Sequence, residues 1–339
     1  MTRFAIAVLL TVLALAGAAC GETEVVREGA VVVASAPRDS PTGEQAAPDA
    51  AVQIAVVTHG EASSKFWAVV RNGVEAAARE QDVLVNYRSP DVYSLERMRT
   101  MIRQAVESEP DGLVVSFPEP GLAPAIRRAV RAGVPVVTIN SGSEDALELG
   151  ALAHVGQPEE RSGLLAGRRL VQAGARRALC INQQVGNVGL DARCRGLSRA
   201  LRGAGGTSLV LGVDDQDPAT PARIANAVSS GRIDGILAMN SLTALHSADG
   251  VRAAGRGDQV TIGAFDLVPE LLEAIIAGRL AFTVDQQPYL QGYWPIAMLA
   301  QRARFGLMPS QGEVVPTGPN FVTPANAEQA LELSRRSIR

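Results

Sequence analysis

Residues 261–293 read TIGAFDLVPELLEAIIAGRLAFTVDQQPYLQGY, and two polar residues stand out by position. Asp266 follows one short apolar run and Gln286 follows the next, with a helical segment closed by Gly278 between them. A carboxylate accepts hydrogen bonds, while a carboxamide both donates and accepts them. The chemistry on offer is therefore the gripping of polar groups on a small molecule. Delivery from the carboxyl ends of two successive strands fits it, because ligands of open α/β sheets bind there.

These two strands belong to a longer alternation that has to position them. From Val52 onward, apolar runs such as IAVVTH, VLVNY, GLVVSF, VPVVTIN, ALCIN, SLVLGV, GILAMN and VTIGAFD are separated by helical stretches. Those stretches cover 66–79, 95–107, 122–131, 160–173, 192–201, 221–229 and 244–254. Short strands, each followed by a helix, mean βαβ units and parallel sheets. Gly133, Gly278 and the Asp-Gly pairs at 111–112 and 234–235 punctuate the strand starts, where a helix must stop. The run EPDGLVV in the first half returns as GRIDGILA in the second. The expected fold is α/β, with two Rossmann-like lobes of one architecture.

Composition narrows the class. The 339 residues suffice for two domains, and a net charge of -3 gives no bias toward nucleic acid or anionic membranes. Arg3 precedes an apolar run that ends in Gly17-Ala18-Ala19-Cys20. That run is shorter than the roughly 20 residues of a membrane span, so residues 1–20 read as a signal peptide. Cys20 resembles the lipid-bearing cysteine of a lipoprotein signal, although Gly17 stands where the usual Leu would. Simple cleavage leaving a free thiol is the alternative. Residues 21–50, rich in Ala, Pro, Ser, Glu and Asp, read as a flexible tether. Cys180 and Cys194 remain. In an exported protein an even pair suggests a disulfide, whose closed loop would contribute roughly 3 kcal/mol. Two buried thiols are the alternative. There is no CxxC and no Cys/His cluster among three His in all, so no metal is expected.

With Asp266 and Gln286 in these places, the chain resembles the type I periplasmic solute-binding proteins of the ribose and simple-sugar group. The resemblance runs from about Gln53 to the end. It implies two lobes joined by a three-segment hinge, with residues 51–156 plus 287–313 in the first lobe and 157–286 plus 314–339 in the second. It also implies a ligand-binding set. Asp266 and Gln286 match the family's Asp and Gln that hold sugar hydroxyls. Ser64, Phe66 and Trp67 match its Asn and sandwiching aromatics, a sensible pairing since a ring covers the C–H face of a sugar. The alternative is that Phe66 or Trp67 packs its helix onto the sheet. Arg193, in RCRGL, matches an Arg that reaches the ligand, and Asn240 matches the Asn at a second-lobe strand end. Asn140-Ser141 replaces the family's Asp-Arg, which removes a bidentate grip on vicinal hydroxyls and argues against plain ribose. An Asx turn is the alternative role for Asn140.

Catalysis is not expected. The sequence has no GxGxxG at the first strand, no P-loop, no G-x-S-x-G and no HExxH, and His59, His154 and His246 lie in separate segments. The acidic run Asp214-Asp215-Gln216-Asp217 offers no dyad across a scissile bond. A lactose-type repressor shares the implied fold, but a signal segment stands where its helix-turn-helix would be. What the resemblance implies is an exported, lipid-anchored monomer in the periplasm or on the outer face of the cytoplasmic membrane. It would bind a simple sugar or polyol for the permease and ATPase subunits of an ABC importer, with no cofactor and no nucleic-acid partner. A receptor that feeds a chemoreceptor or sensor kinase is the alternative.

Overall fold

The structure, a computed structural model, describes residues 51–60, 64–309 and 311–339. The expected signal peptide, its Cys20 and the tether lie outside the described residues. Two six-stranded sheets carry the rest. The first contains β1 (Gln53–Val57), β2 (Leu84–Arg88), β3 (Gly112–Ser116), β4 (Val136–Ile139), β5 (Ala153–Gly156) and β11 (Glu313–Pro316), in the order β11-β5-β4-β3-β1-β2. The second contains β6 (Arg177–Asn182), β7 (Thr207–Gly212), β8 (Gly235–Ala238), β9 (Thr261–Phe265), β10 (Phe282–Asp285) and β12 (Asn320–Val322), in the order β12-β10-β9-β8-β6-β7. Position for position the two orders match. They differ at the edge, where β11 runs parallel to β5 but β12 antiparallel to β10.

Helices cover both faces of each sheet, which is why the strands read as apolar runs with no alternation of polar residues. In the first lobe Ile54, Val56, Val114 and Val137 face α1 (Lys65–Glu80) and α9 (Pro288–Phe305). Ala55, Val57, Leu113 and Val115 face α2 (Leu95–Glu107) and α3 (Ala123–Arg131). In the second lobe one face packs on α4 (Glu159–Gln172) and α5 (Val188–Gly203). The other packs on α6 (Thr220–Ser229), α7 (Ser241–Ala253), α8 (Pro269–Ile276) and α10 (Ala327–Arg335). A disulfide between Cys180 on β6 and Cys194 on α5, with Cα atoms 5.7 Å apart, lies within this packing.

Two helix pairs pack backbone to backbone. A Cβ at Gly163 of α4 would lie 2.0 Å from the Arg193 carbonyl oxygen, and one at Gly196 of α5 would lie 2.1 Å from that of Glu160. Gly73 and Gly292 bring α1 and α9 together in the same way. The α4–α5 contact fixes where Arg193 sits.

Two expectations about element boundaries are corrected. Helices α5 and α7 begin earlier than residues 192 and 244, because Asn187 and Asn240 cap them. Asn187 Oδ1 accepts from the N–H groups of Gly189 and Leu190 at 3.0 and 3.4 Å, and Asn240 forms a capping box with Thr243. The lobe boundary expected after residue 313 cuts β11. Gly312 N–H already bonds the Leu152 carbonyl at 2.7 Å, so the extended Glu-Val-Val-Pro run pairs with β5, and the third crossing lies at 317–319.

Candidate functional site

The carboxyl ends of both sheets face each other, and the lobes stand closed. Val188 N–H donates to the Pro118 carbonyl across the gap at 2.8 Å. The Ser141 hydroxyl lies 3.0 Å from Asn187 Oδ1, and Lys65 pairs with Glu270 at 2.8 Å.

Asn140 and Asp266 occupy matched places, each one residue past the strand next to its lobe's crossing strand. Both take left-handed backbone, with φ of 67° and 70°, a conformation that Asn and Asp tolerate better than most residues. Each donates its N–H to the neighbouring strand, Asn140 to Val155 at 3.2 Å and Asp266 to Val284 at 2.9 Å. This turn lifts each side chain out of the sheet. The Asn140 amide makes no Asx turn. It donates to Gln291 Oε1 at 3.1 Å and to Gln286 Oε1 at 3.4 Å.

Gln291, fully buried on α9, donates in turn to the Gln286 carbonyl and to Gln286 Oε1, both at 3.0 Å. Gln286 Nε2 then donates to Asp266 Oδ1 at 2.5 Å. A continuous chain of amides thus runs from the first lobe, through the second crossing, to the carboxylate of the second lobe. Burial pushes the Asp266 carboxyl up to about 6, against the opposing pull of Arg193 and the Gln286 hydrogen bond.

Behind Asp266 lies a buried ion pair. Arg193, 2% exposed, donates from Nε to Glu159 Oε2 at 2.6 Å and from Nη2 to Oε1 at 3.0 Å. Its third contact is the Met239 carbonyl at 3.4 Å, and the guanidinium lies 4.3 Å over the Phe265 ring. Burial works against the charged form, but Glu159 outweighs it and keeps the Arg193 pKa above its ordinary value. Glu159, 1% exposed, also accepts from Gln157 Nε2 at 2.9 Å. Expected as a ligand contact, Arg193 has its fork engaged by a carboxylate.

Asn240 stands at the end of β8, as expected, but its side chain is engaged. Its oxygen accepts from Thr243 N–H at 2.8 Å, and its Nδ2 donates to Asp215 at 2.7 Å. Nearby, Gln183 and Ser241 each hold a buried side-chain oxygen with no hydrogen-bond partner among the described residues.

In the first lobe the aromatics divide. Trp67 is buried edge-on to His59 at 4.8 Å, and a Cβ at Gly60 would fall 1.7 Å from its indole. It is thereby a packing residue of the first lobe, and the ring with surface left over is the half-buried Phe66, 5.2 Å from Trp67. Ser64 sits at the N-cap of α1 without a capping hydrogen bond. His59 Nδ1 meets the Ser116 hydroxyl at 2.8 Å, and burial holds the imidazole neutral, with its pKa lowered to about 3.

Sequence reasoning missed Glu159, Gln291 and the His59–Ser116 pair. Glu159 is one of two acids in the first turn of α4, a place that acids favour for the helix dipole alone, so it carried no signal of its own. Gln291 carried a signal in DQQPYLQGY, where a third glutamine follows the Pro that opens α9.

A family model described as periplasmic binding protein domain matches residues 54–306. A carbohydrate transporter structure from Acidothermus cellulolyticus, in complex with myo-inositol, is 33% identical, with a TM-score of 0.80 over 86% of this chain and 100% of that one. The xylose/arabinose-binding protein of Sulfolobus acidocaldarius is 25% identical, covering 80% of this chain and 71% of its own. The D-ribose/D-allose-binding protein of Pseudomonas aeruginosa is 26% identical over 66% of this chain and 74% of its own. Among the described residues, no helix is long and apolar enough to cross a membrane.

Proposed function

The chain belongs to the periplasmic binding protein family of substrate-binding proteins, and we propose that it binds a simple sugar or polyol between its two lobes for an ABC importer. The observation that carries this reading is the amide chain from Asn140 through Gln291 and Gln286 to Asp266. It brings donors and acceptors from both lobes to one buried place, as a hydroxyl-rich ligand requires. The unpartnered oxygens of Gln183 and Ser241 add two acceptors. Phe66 is the ring that would cover a C–H face. Arg193 stands behind Asp266, sustaining its ionised form, and Asn240 orders the β8 end.

The 33% identical structure that holds myo-inositol makes a cyclitol the first candidate ligand. Ligand contacts from both lobes would favour the closed arrangement over an open one, a shift set by the difference in affinity between the two. The permease and its ATPase would read that closed form. A lipid on Cys20 would hold a monomer at the membrane surface.

The test is a thermal-shift screen of the chain from Gly21 onward against cyclitols, pentoses, hexoses, polyols and nucleosides. A ligand at a hundred times its Kd adds about 2.7 kcal/mol to the native state, which raises Tm by several degrees at roughly 2–4 °C per kcal/mol. A selective rise with one sugar or polyol class is expected. No rise with any of them overturns the reading.

A further inference from the structure

The second lobe holds more negative than positive charge at the cleft. One guanidinium, Arg193, faces two carboxylates, Glu159 and Asp266, and Glu159 takes its fork with two short bonds of 2.6 and 3.0 Å. The other buried acid nearby, Asp285, has its own cation in Arg339 at 2.5 Å. Among the described residues, the first lobe adds no buried positive charge to the cleft. His59 and His154 are buried and neutral, their pKa values held down to about 3 and about 4 by desolvation. At the mouth of the cleft Lys65 is paired with Glu270, and Arg195 lies 3.7 Å from Glu144. Among the described residues, the Asp266 carboxylate is left with a neutral amide, Gln286, as its one hydrogen-bond partner.

We propose that Glu159 is a specificity-determining residue, which by occupying Arg193 sets the sign of charge the cleft accepts. The inference rests on the sugar or polyol reading and deepens it. With Arg193 neutralised, the free charge is the Asp266 carboxylate. A neutral polyhydroxylated ring donates hydroxyls to it. A ring bearing an ammonium group in place of one hydroxyl adds a charge-assisted hydrogen bond, the stronger kind. A ring bearing a carboxylate meets like charge at a carboxylate partly withdrawn from solvent, where repulsion is less screened than at the surface. Glu159 touches no ligand in this scheme. It acts through Arg193, and the α4–α5 contact at Gly163 and Gly196 holds the two in register.

The experiment is isothermal titration of the full chain and of Glu159→Gln with three ligands on one ring scaffold: neutral, amino and carboxylate. The wild type is expected to bind the neutral and amino forms and to reject the carboxylate form. In Glu159→Gln the carboxylate form should gain about tenfold in affinity relative to the neutral one, roughly 1.4 kcal/mol, and the amino form should lose its advantage. Identical ligand ratios in the two proteins overturn the proposal. So does a wild type that binds the carboxylate form as tightly as the neutral one. If Glu159→Gln does not fold, Asp266→Asn serves in its place and should cost the amino form about tenfold more than the neutral form; equal costs overturn the proposal. A wild type that binds none of the three, nor anything in the wider screen, refutes the underlying reading and is distinct from these outcomes.

Discussion

The two lobes repeat one strand order yet equip it differently. At the matched turn the first lobe offers Asn140 and the second Asp266, both left-handed and both tied to the next strand through their N–H groups. At the matched crossing the first offers Gln157 and the second Gln286. Around the first lobe's turn the groups are neutral: Ser141, Gln291 and a desolvated His154. Around the second lobe's turn they are charged: Arg193, Glu159 and Asp266. A shared scaffold thus fixes where groups go, and the side chains alone decide that one half provides neutral hydrogen bonding and the other provides charge. Lost charge partners cost more than lost neutral ones in a buried place, so substitutions in the second lobe should be the more damaging.

The largest expected effect is on stability. Glu159→Ala leaves the Arg193 guanidinium buried without its carboxylate, a class of change that costs about 3–5 kcal/mol. Denaturant unfolding should move its midpoint by a corresponding amount, whereas Asn140→Gly in the first lobe, which keeps the left-handed turn without strain, should cost about 1–3 kcal/mol. Equal losses would break the contrast between the lobes.

Next comes affinity. Asp266→Asn preserves shape and tolerates the positive φ, yet removes the charge. A charge-assisted hydrogen bond contributes about 1.5–3 kcal/mol, so titration should find Kd raised roughly a hundredfold. The same carboxylate predicts a pH dependence. Its pKa, raised to about 6, means that the folded protein favours the protonated form. Its contribution to ligand-free stability is full below the ordinary carboxylate range and is lost as pH rises through about 6. Ligand affinity runs the opposite way, falling as pH drops through that value, because the ionised form is the better acceptor. His59 and His154, held down to about 3 and about 4, lose their stabilising contribution as pH falls below the ordinary 6.5. The measurement is therefore the difference in Tm between wild type and Asp266→Asn from pH 5 to 8, in which the histidines cancel. A difference that stays flat across that range contradicts the assignment.

How much of this was legible beforehand follows from what each signal depends on. Strand and helix order came through because buried parallel strands leave continuous apolar runs, and Asp266 and Gln286 were visible because they interrupt such runs at strand ends. Glu159 was not, because its partner lies 34 residues away and meets it through helix packing at glycines. Trp67 was read as a sandwiching ring with packing of its helix onto the sheet as the alternative, and sequence does not reveal that it lies against the backbone of Gly60. The early starts of α5 and α7 hinge on single capping amides, which a reading based on apolar spacing passes over.

Gln291 joins the two halves of the comparison, and its loss should be intermediate. Gln291→Met keeps the volume and removes the bonds to Asn140 and Gln286. Each lost bond costs about 1 kcal/mol. The sharper readout is coupling. In the wild-type background, ligand affinities of Asn140→Ser, Asp266→Asn and the double variant should be non-additive by about 0.5–3 kcal/mol, as expected for groups in one network. With Met at 291 the two changes should become additive. Coupling that survives the substitution would mean that the lobes communicate through the ligand alone.

The smallest effect is expected at the rim. Lys65 and Glu270 bridge the lobes at 2.8 Å, but their side chains are 66% and 54% exposed, unlike the buried pair behind Asp266. An exposed pair contributes about 0–1 kcal/mol and is screened by salt. Because one partner comes from each lobe, the bond exists only in the closed form, so its small contribution bears on closure and not on the fold of either lobe. Lys65→Ala should therefore leave ligand-free Tm nearly unchanged and raise Kd by a factor of about 2–5 at low ionic strength. That factor should shrink toward one as salt is added to about 1 M, where the screening length is near 3 Å. A penalty that persists in high salt would assign the rim pair to the same buried, charge-dependent machinery as the second lobe, and the division between neutral and charged halves would then extend to the edge of the cleft.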